Sequence, residues 1–149
     1  MILRSDTIDD EDIQRQICAI YSRGNMLIRK FYLCTTDVKV QLFKCYVMNL
    51  YGATLWSNFS DVKLTQLRVA YNNIFRAFLG LERKGTSSSF LRLNTDNFKT
   101  FLRRILYKYR KRIFNSENSV IYSVTKSHFF ITRSKLYSKW NTLLHDYFK

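Results

Sequence analysis

Proline is absent from all 149 residues. At a usual share of about 5 %, roughly seven would be expected. Proline mainly interrupts helices, so its absence favours an all-helical chain. Cysteine is scarce and odd in number: Cys18, Cys34 and Cys45, with no CxxC pair. That pattern is no disulfide framework. It reads as reduced core cysteines of an intracellular protein, nuclear or cytoplasmic. A zinc site needs four suitable ligands, and His128 and His145 lie far from the cysteines, so no metal or other cofactor is expected. Long apolar runs are missing too. None approaches the roughly 18 residues of a membrane span. The start, "MILRSDTIDDED", turns acidic at once and does not read as a signal peptide. Enzyme signatures are missing as well: no GxxxxGK[ST] loop, no HExxH and no GxSxG.

Acidic residues are the last shortage. There are 11 against 25 lysines and arginines, a net charge of +14. The imbalance is local. Residues 1–60 hold 7 basic and 6 acidic residues, +1, whereas residues 61–149 hold 18 and 5, +13. A lopsided charge of this kind points to a polyanionic partner for the second part, nucleic acid before an anionic membrane surface. The chain is no disordered tail, because 46 % of it is hydrophobic and its length suits one domain with a real core.

Periodicity divides the chain into five or six helices. Asp9 or Asp10 caps a first helix running to about Leu33, with Ile13, Ile17, Ile20, Leu27 and Phe31 on one face. Gly24 interrupts it, either as a tolerated glycine or as a close helix crossing. Thr35 or Thr36 opens a second helix, whose wide apolar face takes in Val38, Leu42, Phe43, Tyr46, Val47, Leu50 and Tyr51 and closes at Trp56. The third starts at Ser60 or Asp61 and stops at Gly80. Its stripe is Leu64, Leu67, Ala70, Ile74, Phe78 and Leu81. Arg68, Asn72 and Arg76 flank that stripe, four apart, and Asn73 lies closer to it. Residues 82–94, with a glycine and three serines, read as a loop and hinge. A fourth helix covers 94–115, with Phe98, Leu102, Ile105, Tyr109 and Ile113 inward. A short helix at 116–127 and a last one bearing Leu136, Trp140, Leu143, Leu144 and Tyr147 follow.

The fourth helix carries the sharpest signal. Arg103, Arg104, Lys108, Arg110, Lys111 and Arg112 place six cations in ten residues without an acid. A solvated helix face usually mixes signs, since i,i+4 pairs attract and like charges repel. Cations alone suit a phosphate backbone, which supplies affinity without base specificity. The aromatics, 16 % of the chain, fall mostly on apolar stripes. Tyr107, among the cations, is the better candidate for base stacking.

The order of these motifs resembles the region C-terminal to the polymerase core in reverse transcriptases of non-LTR (LINE-type) retrotransposons. The resemblance runs over about residues 9–115. It rests on Gly24-Asn25, Lys39, Leu42-Phe43-Lys44, Tyr46, Leu55-Trp56, Ala70-Tyr71-Asn72-Asn73, Phe75-Arg76, and the basic helix with Tyr107 and Arg112. It implies a helical thumb that holds the template–primer duplex as it leaves the active site. The family's catalytic aromatic-x-Asp-Asp motif lies in the palm and has no counterpart here, so no catalytic residue is assigned.

The expectation is an all-α chain. A thumb-like antiparallel bundle spans 1–81, a hinge 82–94 and a basic helical region 95–149, together one globular unit. Its expected role is sequence-independent binding of an RNA–DNA hybrid or other duplex. Arg103, Arg104, Lys108, Lys111 and Arg112 are the main phosphate contacts. Arg68, Asn72, Arg76, Arg83 and Lys84 form a second set. The alternative is a protein-interaction module, docking through an exposed aromatic face, or a remnant of a mobile element without function.

Overall fold

A computed structural model describes residues 9–50, 52–82 and 86–144. Among them every regular element is helical: eight α-helices and a 3₁₀ turn, with one hydrophobic core that runs from Ile13 to Leu144 and to which α6 adds no side chain. The first, α1 (Asp10–Lys30), buries Ile13, Ile17, Ile20, Gly24 and Leu27 along one face. It ends three residues before Leu33. Its expected cap is not made. Asp9 stands at the cap position, but its carboxylate accepts from the backbone N–H groups of Ser57 and Asn58 at 2.7 and 2.8 Å. Asp10 accepts from the Ser60 N–H and hydroxyl at 2.8 and 2.7 Å, and Asp12 from the Trp56 indole at 2.9 Å. Turn backbone needs partners as much as a helix end does, and here the turn holds the acids.

The second helix, α2 (Thr36–Tyr46), is shorter than its apolar face suggests. Val38 and Tyr46 are exposed, while Val47, Leu50, Ala53 and Trp56 are buried from an irregular stretch and a 3₁₀ turn at Ala53–Leu55. Arg23 from α1 donates to the Asn49 carbonyl at 3.3 Å just past the helix end. Gly52 turns the chain at φ +82°, where a side chain would be strained. The cysteines are free, as expected, but not core: Cys18 and Cys45 are exposed and Cys34 is half-buried.

The third helix, α3 (Asp61–Leu79), has the ends its sequence announces. The Ser60 hydroxyl accepts from the Lys63 N–H, and Gly80 closes the helix at φ +65°. Tyr71 and Phe75 are buried beside the expected Leu67, Ala70, Ile74 and Phe78. α1 crosses α3 where Gly24 meets Ile74. A Cβ on Gly24 would overlap Ile74 Cγ2, and Ile74 is itself enclosed, so the close crossing is the reason for the glycine. Gly24→Ala should therefore lower stability by about 1–2 kcal/mol in urea melts. Overpacking costs roughly 1–3, partly offset by alanine's helix preference. Ile74→Ala vacates that space, so the double variant should be more stable than the two single effects predict.

The expected hinge contains a helix, α4 (Thr86–Arg92). Phe90 is 3 % exposed and stacks on Phe75 with ring centroids 3.9 Å apart. Burying that ring outweighs the weak helix preference of the serines. After a turn in which Asn94 takes φ +46°, Asn97 caps α5 (Phe98–Phe114), its side chain accepting from the Thr100 N–H at 2.9 Å. Beyond α5 the chain breaks into three short helices rather than two: α6 (Ser119–Lys126), α7 (His128–Arg133) and α8 (Lys135–Leu144). Ser127 ends α6 and caps α7, accepting from the Phe130 N–H. Trp140 of α8 is buried and donates its indole N–H to the Thr54 carbonyl at 3.1 Å.

Candidate nucleic-acid interface

Burial of Phe98, Phe101, Leu102 and Leu106 fixes how α5 is rotated. Positions between these then turn outward at the 3.6-residue period. Arg104, Lys108, Lys111 and Arg112 are exposed on α5. Arg104, Lys108 and Arg112 form a row one turn apart, about 6 Å per step. Residues 97–144 contain eleven lysines and arginines and one acid, Glu117, a net charge of +10. The row therefore sits in a field of one sign.

The five expected phosphate contacts are not equivalent. Lys108 and Lys111 are exposed, and neither forms an ion pair among the described residues. Arg112 lies over the Tyr109 ring, 5.4 Å from its centroid, which steadies the guanidinium and leaves its edge outward. Arg104 is paired with Asp96 at 2.7 Å, although its side chain is 48 % exposed. Arg103 is turned toward α8, its Nε–H donating to the Leu143 carbonyl at 3.1 Å. Both of these arginines also hold the fold together, so the outward grip centres on Lys108, Lys111 and Arg112.

The second expected set is dispersed. Arg68 is exposed and joins Arg103 and Lys99 around a cavity of about 250 Å³ between α3, α5 and the end of α8. Arg76 is half-buried and donates to the Asn73 side-chain oxygen. Asn72 is half-buried, with its side-chain oxygen enclosed. The exposed edge expected of Asn72 and Arg76 is therefore not formed. Arg76 turns inward because Asn73 on the same helix accepts from it, whereas the enclosed Asn72 oxygen has no hydrogen-bond partner among the described residues. Arg83 and Lys84 lie outside the described residues. Sequence reasoning passed over Lys99, although its i,i+4 spacing to Arg103 marks it as a neighbour.

Tyr107 lines a shallow cavity on α5 with Arg110, Lys111, Phe114 and Asn115. Arg110 lies 5.6 Å from the centroids of both the Phe114 and Tyr137 rings. Arg110 is thus held against aromatic faces. Among the described residues no group of three or more histidines, cysteines or acids could hold a metal ion, and no helix is long and apolar enough to cross a membrane. Compared with known proteins, the chain matches no family model, no curated protein and no solved structure.

Proposed function

We propose that the chain binds the sugar–phosphate backbone of a nucleic-acid duplex without reading its sequence, as the thumb of a LINE-type reverse transcriptase grips its template–primer. The observation that carries this reading is the outward row on α5, with Lys108, Lys111 and Arg112 exposed in a stretch with a single acid. Like charges one turn apart repel one another, and a bound polyanion relieves that repulsion. The motif order over residues 9–115 adds the expected substrate, an RNA–DNA hybrid. The role is mechanical: α5 clamps phosphates, and the core built from α1 to α4 keeps it straight.

A salt series tests the proposal. The purified chain should bind a labelled RNA–DNA duplex with log affinity falling linearly in log salt. Three to five phosphate contacts give a slope of about −3 to −4.5. A flat dependence between low and moderate salt, or no binding by folded protein, would exclude backbone clamping.

A further inference from the structure

The end of α5 and the three helices after it leave an apolar surface that duplex binding does not use. α6 buries only Thr125. Its apolar side chains Val120, Ile121, Tyr122 and Val124 are 69, 37, 57 and 50 % exposed. An apolar helix left this open in a small domain marks a contact surface. The surface is concave. Ile121 and Val124 from α6, Phe130 from α7, and Leu136 and Trp140 from α8 line a groove of about 500 Å³ against Tyr109 and Ile113 of α5. Its floor is already set. Trp140 meets the Tyr109 ring edge-on at 5.8 Å and the Phe130 ring at 6.4 Å, so rigid walls stand ready for inserted side chains.

Charge decides what kind of occupant fits. Arg112 lines the groove itself, and residues 97–144, which build it, carry a net charge of +10. Glu117 is the only acid between residues 97 and 144. An occupant must therefore present apolar side chains inward and carboxylates at the rim. A flat anionic membrane surface offers the charge but no array of side chains matched to a concave groove, whereas a helix face does, with anchors at i, i+3 or i+4, and i+7.

We infer that this groove is a docking site for an acidic amphipathic helix of a protein partner. It is separate from the duplex grip except at Arg112, which serves as the rim cation here. The complex forms by burial of the partner's apolar stripe between α6 and α8, and Arg112 with the surrounding positive charge selects acidic partners and excludes basic ones.

The probe is a displayed library of amphipathic helices, with leucines fixed at i, i+3, i+4 and i+7 and polar positions randomised. It is selected on the full chain and counter-selected on the double variant Ile121→Gln/Val124→Gln. Both side chains are partly or well exposed, so glutamine should leave the fold and the net charge unchanged, checked by circular dichroism. The expected result is enrichment of helices rich in aspartate and glutamate, binding the wild-type chain about tenfold or more tighter than the variant. Tyr122→Ser, outside the groove, should bind them like wild type. Enrichment without an acidic bias, equal binding to the double variant, or no enrichment at all would overturn the inference. So would phosphatidylserine vesicles that bind through Ile121 and Val124 when no helix does, which would make the face a membrane contact. Duplex binding, measured in parallel on the double variant, should stay at the wild-type level, so a failure here is distinguishable from a failure of the duplex reading.

Discussion

Replacing Tyr71 with alanine should unfold the chain under conditions where the wild type is folded. Tyr71 of α3 is fully buried and meets aromatic rings from three other helices. Its ring lies 5.2 Å from Phe43 of α2, 5.9 Å from Phe90 of α4, and 5.7 and 5.9 Å from Phe98 and Phe101 of α5. Its hydroxyl donates to the Asp96 carbonyl at 2.9 Å. Truncating a large buried aromatic costs about 3–5 kcal/mol. A domain of this size holds about 5–15 in total. Tyr71→Phe keeps the ring and removes only the donor, so it should cost about 1–2 kcal/mol. Burial, with the Asp96 charge adding to it and Arg104 opposing, pushes the phenol far above its ordinary value. The folded chain therefore refuses the phenolate that the unfolded chain accepts near pH 10. Stability from this group is complete below about pH 10 and is lost as pH rises beyond it, by roughly 1.4 kcal/mol per unit. Tyr71→Phe should lose less stability than wild type between neutral and alkaline pH. Urea midpoints for the three proteins at two pH values check all of this. An unchanged midpoint for Tyr71→Ala would sink the claim that this ring holds the helices together.

Changing Lys108, Lys111 and Arg112 together to glutamine should weaken duplex binding by roughly ten- to a hundredfold at low salt, and should flatten the salt slope by about 3. The fold should stand, because these side chains are exposed. Arg103 and Arg104 are better left in place. Their bonds to Leu143 and Asp96 mean that losing them would disturb α8 and the turn before α5 as well as any phosphate contact. Binding should weaken equally across unrelated duplex sequences, since phosphate contacts carry no base information. A triple variant that binds like wild type, with the same slope, would remove α5 from the interface.

What could be read from the sequence was mostly what is local. Ser60 and Gly80 bound α3 because a hydroxyl cap and a left-handed glycine act within one turn of the chain. The basic face of α5 was legible for the same reason. Tertiary partners were not. Asp9 and Asp10 look like helix caps, yet they serve a turn about 50 residues away. The serine-rich stretch looks like a hinge, yet Phe90 docks it. The broad apolar run after Thr35 looks like one helix, yet its second half is buried without being helical, through Val47, Leu50, Ala53 and Trp56. In the candidate interface, spacing grouped five cations alike. Only the positions of Leu143 and Asp96 separate the two that brace the fold from the three that face outward.

The bond from Trp140 to the Thr54 carbonyl also sets an order of events as the chain is made. The donor follows its acceptor by 86 residues. At about 5–20 residues per second, roughly 4–17 seconds pass between their syntheses. During that interval α1 to α4 can assemble, while the apolar side of α5 that receives Trp140 waits uncovered. Closing a loop that long costs about 4 kcal/mol of chain entropy. α8 therefore acts as the latch of a nascent chain, closing over a flank whose other residues were made well before it.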